Sequence, residues 1–156
     1  MLSPADRAPE FTLPNHEGRE VSLTSLLRRG ALILYFYPAD FTPGCTREAC
    51  SFRDLHTEIQ KVGLTVAGVS PQDADSHRRF RDQHHLPFTL LSDPDRAVMK
   101  EYGAFGEKTL YGKKSMGVIR STVWIGPDGK VRKHWRKVPD AALHPEKVIE
   151  ALEEGD

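Results

Sequence analysis

Residues 31–50 read ALILYFYPADFTPGCTREAC, and this stretch indicates how the chain folds around its two cysteines. The run from Ala31 to Tyr37 is apolar throughout rather than alternating, which is typical of a strand buried on both faces of a sheet. Thr42 and Pro43 then predict a helix start, with Thr42 as the N-cap and Pro43 at the first helical position. Cys45 therefore follows a buried strand as the third residue of a helix.

The rest of the chain predicts a single α/β domain over residues 1–156. Leu64 to Ser70 is a second apolar strand after an intervening helical segment, so the two strands form a parallel βαβ unit with a right-handed crossover. Hairpins are predicted near the N-terminus, over residues 11–23, and around Pro127 to Lys130. We expect a mixed central sheet flanked by helices, with an N-terminal β-hairpin. The remaining expectations are strands at 88–91 and 120–125, helices at 73–84, 96–102 and 145–153, and a loop at 107–117.

The composition limits the classes of partner and the location. Lys and Arg number 22 and Asp and Glu number 22, so the balanced charge favours neither nucleic acid nor an anionic membrane as a partner. The N-terminus has no basic segment followed by an apolar one, and no apolar run could span a bilayer, so we expect a soluble, cytoplasmic protein. No cysteine and histidine pairs stand at zinc spacing, so we expect no metal site and place the seven histidines at the surface.

The two cysteines are too few for the disulfide framework of a secreted protein, which favours a chemical use. They fall on different sides of the predicted helix. Cys50 lies on the polar side and is expected to face water, whereas Cys45 lies on the apolar side. The residues that share the apolar face with Cys45, at helical spacing, are Ala49, Phe52, Leu55, Ile59 and Val62.

Helix geometry assigns different chemistry to the two thiols. Cys45 lies near unpaired N–H groups and the positive end of the helix dipole, which favour thiolate over thiol, whereas Cys50 lacks this help. Residues five apart on a helix have Cα atoms roughly 8 to 9 Å apart, beyond the span of about 7 Å that a disulfide tolerates. A Cys45–Cys50 disulfide therefore requires the first turns of the helix to unwind, which indicates a bond that forms and breaks in a cycle.

The pattern Pro38-x-x-x-Thr42-x-x-Cys45 resembles the active-site motif of the peroxiredoxins. Residues 42–50, TPGCTREAC, are similar to the bacterioferritin comigratory protein or PrxQ branch of that family, which has a resolving cysteine five residues on. The resemblance extends to residues 111–123 and to Asp128-Gly-Lys. It implies a thioredoxin-like fold and an enzyme that reduces hydrogen peroxide and organic hydroperoxides at a thiol.

The resemblance also implies roles for individual residues. Cys45 is the peroxidatic thiolate, Thr42 its hydroxyl neighbour, Pro38 a shield from solvent, and Arg120 the cation of the site. Thr42, Gly44, Cys45 and Arg120 would contact the substrate. Cys50 would resolve the sulfenic acid of Cys45 to an intramolecular disulfide, and thioredoxin or another dithiol would restore both thiols. The family pattern implies a monomer and no metal, flavin or haem.

Other interpretations are open at several positions. Cys45 could be an inert core thiol and Cys50 an incidental surface thiol. Glu48 fits equally an exposed helix charge and a residue that orients Arg120. For the whole chain the alternatives are a thiol-disulfide oxidoreductase, which would normally have Cys-x-x-Cys, and a non-enzymatic binding module whose surface changes with redox state.

Overall fold

The computed structural model describes residues 2–110, 112–138 and 140–153. The strands, in chain order, are β1 (Thr12–Pro14), β2 (Glu20–Ser22), β3 (Ala31–Phe36), β4 (Leu64–Ser70), β5 (Thr89–Ser92), β6 (Phe105–Leu110), β7 (Lys113–Val118), β8 (Ser121–Ile125) and β9 (Val131–Trp135). The helices are α1 (Leu23–Leu27), α2 (Pro43–Asp54), α3 (His56–Lys61), α4 (Ala74–His84), α5 (Ala97–Glu101) and α6 (His144–Glu153).

The central sheet has five strands in the order β5-β4-β3-β8-β9. β3 pairs in parallel with β4, and β4 with β5, whereas β8 is antiparallel to both β3 and β9. Strand β3 lies in the middle, which is why its sequence is apolar without alternation. The predicted mixed sheet flanked by helices is confirmed, and so is the N-terminal hairpin, formed by β1 and β2.

Two apolar clusters cover the two faces of this sheet. Leu32, Leu34 and Phe36 of β3 point to one face, where the N-terminal hairpin and α5 pack. Ile33 and Tyr35 point to the other face, which carries α2 and the side chains of α4. Because consecutive strand residues alternate between faces, one fully apolar strand supplies both clusters.

Two predictions of local structure were wrong. Residues 107–117, expected as a loop, lie mostly within the antiparallel β6–β7 hairpin, with Tyr111 outside the described residues. Most of its side chains are exposed, so the strands carry no apolar alternation that would have revealed them. The predicted helical stripe from Cys45 to Val62 is also interrupted, because Leu55 has non-helical angles between α2 and α3. Ile59 remains buried beyond the break, but Val62 is exposed.

None of the helices in the described part of the chain combines the length and the apolarity that a membrane crossing requires.

Candidate active site

Cys45 lies at the start of the helix that follows the central strand. The chain leaves β3, crosses residues 37–42, and begins α2 at Pro43, so Cys45 is the third helical residue, as predicted. Its side chain is 1% exposed and packs in the apolar cluster with Ala49 and Phe52. The inward orientation expected from the helical spacing is therefore confirmed.

Thr42 occupies the N-cap position of α2 in an extended conformation, but its side chain does not cap the helix. The Thr42 hydroxyl instead donates a hydrogen bond of 3.0 Å to the carbonyl oxygen of Ala39, within the loop before α2. The predicted N-cap position of Thr42 is therefore confirmed, although its side chain makes no capping bond. Since this hydroxyl turns back to the loop, it does not occupy the amide groups of the first helical turn near Cys45.

Arg120 reaches Cys45 because of the strand register. Phe36, the last residue of β3, pairs with Ser121, the first residue of β8, so residue 120 lies beside the end of the central strand. The Arg120 Nη2 group donates to Cys45 Sγ at 3.2 Å, and its Nη1 group donates to Glu48 Oε1 at 2.6 Å. One planar guanidinium therefore bridges the thiol and the carboxyl group, which favours a negatively charged sulfur.

Glu48 lies one helical turn after Cys45 and is fully buried. The sequence left two interpretations of Glu48 open. Its burial rules out an exposed helix charge, and the pairing with Arg120 remains. Burial raises the pKa of Glu48 to about 7, against the opposing effect of the Arg120 charge and hydrogen bond. Its second oxygen, Oε2, is buried without a hydrogen-bond partner among the described residues.

Gly44 and Pro38 shape the space around the guanidinium. A Cβ atom at Gly44 would lie 3.3 Å from Arg120 Nη2, so the absence of a side chain lets the guanidinium approach Cys45 closely. Pro38 is half-buried and lines, together with Arg120, a cavity of about 550 Å³ beside the β6–β7 hairpin. The lining is mixed: Val118, Ile119 and Val138 are apolar, whereas Glu107, Lys108 and Lys137 are charged.

Cys50 is half-buried against α4 rather than facing open water, so this part of the prediction was wrong. Its Sγ atom lies 3.8 Å from Nδ1 of His84, the last residue of α4. Arg53, one turn further along α2, donates from Nη1 to the carbonyl oxygen of His84 at 2.8 Å. Both cysteines are free thiols on one intact helix, at a separation in sequence that helix geometry does not allow a disulfide to bridge.

A buried polar network fixes the loop that leads into α2, and sequence reasoning missed it. Asp40 accepts from the Tyr37 hydroxyl at 2.6 Å and lies 2.7 Å from His77 Nδ1. The other ring nitrogen of His77 lies 3.0 Å from the Leu91 carbonyl oxygen. Because both ring nitrogens face acceptors, we infer that His77 is an imidazolium paired with the Asp40 carboxylate.

The expectation that the histidines lie at the surface was wrong for several of them. His16, His77 and His144 are all buried. His144 hydrogen bonds with the Thr122 hydroxyl at 2.7 Å, and burial followed by the charges of Arg120 and Lys147 lowers its pKa to about 4. Within residues 2–110, 112–138 and 140–153, no group of three or more His, Cys, Asp or Glu side chains is placed to hold a metal ion.

A buried thiol on the first turn of a helix, bridged by a guanidinium to a buried carboxyl group, defines a thiol-redox site on a thioredoxin-like sheet. Comparison with known proteins identifies its family. Residues 4–134 match the AhpC/TSA family. Peroxiredoxin Bcp of Escherichia coli K12 is 42% identical over 130 residues, which are 83% of this chain and 83% of the relative.

Solved structures agree with this result. Peroxidoxin BcpB from Mycobacterium tuberculosis superposes with a TM-score of 0.87 at 33% identity, covering 99% of this chain and 98% of its own. A bacterioferritin comigratory protein from Xanthomonas campestris, described as having alkyl peroxide reduction activity, gives a TM-score of 0.85 at 36% identity over 92% and 90% of the two chains. The chain belongs to the AhpC/TSA family and, within it, to the Bcp/PrxQ peroxiredoxins, which are thiol peroxidases. It therefore acts on a peroxide and depends on a thiol reductant.

Proposed function

We propose that Cys45 is the thiolate that attacks the hydroperoxide and that Cys50 resolves the product within the same chain. The observation that carries this proposal is the 3.2 Å contact between Arg120 Nη2 and the buried Cys45 Sγ. A guanidinium at this place stabilises the sulfur anion before the reaction and the negative charge on the leaving oxygen during it. Thr42 and Gly44 complete the substrate-binding position, and Pro38 limits the access of water.

The first step transfers one oxygen atom to sulfur. The Cys45 thiolate attacks the terminal oxygen of the hydroperoxide, an S–O bond forms, the O–O bond breaks, and the leaving alkoxide or hydroxide takes up a proton. Hydrogen peroxide and organic hydroperoxides are the proposed substrates. Three apolar side chains in the lining of the cavity beside Arg120, Val118, Ile119 and Val138, support the organic ones, since an alkyl group could contact them.

The second step forms the disulfide. After the start of α2 unwinds, the Cys50 sulfur bonds to the Cys45 sulfur and the sulfenic oxygen leaves as water. A dithiol then reduces the disulfide by exchange and is itself oxidised; we propose thioredoxin or a similar protein in the cytoplasm for this role. We also propose a monomer as the active unit, which sedimentation at enzyme concentration tests.

The test is a peroxide-dependent turnover with thioredoxin as the donor, for the wild type and the Cys45→Ser and Cys50→Ser variants. Cys45→Ser should lose activity completely. Cys50→Ser should still consume one peroxide per chain but recycle poorly. Equal losses of the first oxidation in both variants would contradict this division of roles.

The effect of replacing Arg120 distinguishes a peroxidase from two other functions. A thiol-disulfide oxidoreductase or a redox-switched binding module has no leaving peroxide oxygen to stabilise. In a peroxidase, Arg120→Lys should slow the oxidation of Cys45 by roughly a hundredfold, because an ammonium cannot reproduce the planar fork between Cys45 and Glu48. An unchanged rate of peroxide consumption would favour the binding module.

A further inference from the structure

We propose that Glu48 stores the proton that the peroxidase reaction consumes: it is a neutral carboxylic acid while Cys45 is a thiolate, and it becomes a carboxylate when Cys45 is oxidised. This inference rests on the proposed role of Cys45. Glu48 acts through Arg120 rather than by contact with the substrate.

The charge balance of the site favours a proton on Glu48. The Arg120 guanidinium is shared between Cys45 Sγ, at 3.2 Å, and Glu48 Oε1, at 2.6 Å. If sulfur and carboxyl were both ionised, two negative charges would face one positive charge, and both anions would be buried, since Cys45 is 1% and Glu48 0% exposed. The site would then carry one net negative charge, which is costly to bury. One proton on Glu48 makes the site neutral.

The unpaired oxygen of Glu48 also favours the protonated form. Glu48 Oε2 is buried and finds no hydrogen-bond partner in the described part of the chain. An ionised carboxylate needs partners for both oxygens far more than a neutral carboxyl group does. The protonated form therefore fits the reduced site better, with Oε1 accepting from Arg120 and the proton on Oε2.

The other titratable groups that face this site are neutral and do not change its net charge. Tyr35 of β3 is fully buried, and burial, followed by the charge of Glu48, raises its pKa well above the ordinary value, so it remains a neutral phenol. His144 of α6 has a pKa lowered to about 4 by burial and by Arg120, so it is neutral near pH 7. Arg120 thus supplies the positive charge for which Cys45 and Glu48 compete.

Oxidation of Cys45 shifts this competition. A sulfenic acid is neutral, so the guanidinium then pairs with Glu48 alone and favours its carboxylate. Burial raises the pKa of Glu48 to about 7. Near this pH, the loss of the competing thiolate is enough to make Glu48 give up its proton. Loss of the thiolate charge releases the proton just when the leaving oxygen needs one.

The complete cycle balances. The thiolate and ROOH give the sulfenic acid and RO⁻, and the Glu48 proton converts RO⁻ to ROH. Condensation of the sulfenic acid with the Cys50 thiol releases water. The dithiol delivers two electrons and two protons, of which one proton returns to Cys50 and one to Glu48, so the Cys45 thiolate is restored.

Proton uptake during a single oxidation tests the proposal. The Cys50→Ser variant, which retains the sulfenic acid, is mixed with one equivalent of hydrogen peroxide in weakly buffered solution with a pH indicator. At about pH 6, one unit below the Glu48 pKa of about 7, uptake from solvent should be near zero per Cys45 oxidised. It should rise toward one at about pH 8, where Glu48 has already lost its proton.

The matched control is Glu48→Gln in the same Cys50→Ser background, which should take up about one proton at both pH values. Thiolate absorbance must confirm that Cys45 is ionised in both proteins before mixing. Uptake near one at pH 6 with Glu48 present would overturn the proposal. Infrared difference spectra give a readout that does not depend on folding of the Gln variant: oxidation should remove the carbonyl band of a protonated carboxyl, and Cys45→Ser should show no such change.

The same samples separate this proposal from the peroxidase function itself. Mass spectrometry of a sulfenic-acid adduct counts the Cys45 residues oxidised. If no adduct forms, the role of Cys45 in peroxide reduction fails. If the adduct forms in full while one proton is taken up at pH 6, only the role of Glu48 fails.

Discussion

Unwinding of α2 before disulfide formation can be tested at Arg47, an exposed residue between the two cysteines. Arg47→Gly and Arg47→Ala remove the same charge and differ only by one exposed methyl group. Glycine is less favourable than alanine in a helix interior by about 0.9 kcal/mol. If unwinding precedes the attack by Cys50, this difference increases the unwound population, and with it the rate of disulfide formation, roughly four- to fivefold.

The assay is a single peroxide pulse, followed by rapid quenching with an alkylating agent and quantification of free thiols and disulfide by mass. The Gly variant should form the disulfide faster than the Ala variant, with little difference in the initial oxidation of Cys45. Arg79→Gly and Arg79→Ala in α4 provide the matched pair, since Arg79 is exposed on a helix that carries neither cysteine. This second pair should differ in unfolding free energy but not in disulfide formation.

Two results would refute the reasoning. Equal disulfide rates for the two variants at Arg47 would mean that helix unwinding does not limit the step. Equal acceleration by glycine at Arg47 and Arg79 would mean that global destabilisation, rather than local unwinding of α2, controls the rate.

Three further predictions concern stability and helix release. Asp40→Asn leaves the buried His77 imidazolium without its carboxylate and should lower the unfolding free energy by about 3 to 5 kcal/mol, measured by urea denaturation; a loss below about 1 kcal/mol would argue against an ion pair. Arg53→Ala removes the 2.8 Å bond to the His84 carbonyl in the part of α2 that stays wound, so it should cost about 1 kcal/mol of unfolding free energy and leave the disulfide step, measured by the same quench assay, nearly unchanged. The folded pKa of Glu48, about 7, lies above its ordinary value of 4.5, so the folded state binds the extra proton between these values. Unfolding free energy should therefore fall as pH rises from about 4.5 to about 7, and this fall should be smaller in Glu48→Gln.

The position of Cys45 was predictable because the signals are local. A continuous apolar run and a Thr-Pro helix start are read from residues 31–43 alone, and the structure places strand β3 and helix α2 there. The contacts that define the chemistry of the site are not local. Arg120 lies 72 positions from Glu48. Helical spacing places Glu48 between Cys45 and Phe52 on the apolar face, but the local sequence does not show which distant cation pairs with it.

The same reason explains the errors at Cys50 and His77. Helical spacing correctly separates Cys50 from the Cys45 face, but it cannot show that α4 covers that side and brings His84 within 3.8 Å. His77 is buried because Asp40, 37 positions away, and the Leu91 carbonyl satisfy its ring nitrogens. A polar residue is placed in a core by partners that only the tertiary fold assembles.

The contacts along α2 divide it into a part that can be released and a part that stays anchored. Phe52 is fully buried with its ring centroid 4.7 Å from that of Tyr35, and Arg53 is held by the His84 carbonyl. Unwinding can therefore stop before Phe52.

The released part of α2, residues 43–51, is held at its start by the contact between Arg120 and the Cys45 sulfur. That contact is charge-assisted only while the sulfur is a thiolate. Oxidation replaces the anion with a neutral sulfenic acid and leaves the guanidinium to Glu48, so the reaction itself weakens the hold on the first turn. The five residue steps from Cys45 to Cys50 can span up to about 16 Å when extended, so the freed segment is long enough for the two sulfurs to meet. The helix start is thus stable while the thiolate must react, and becomes easier to unwind once the product requires Cys50.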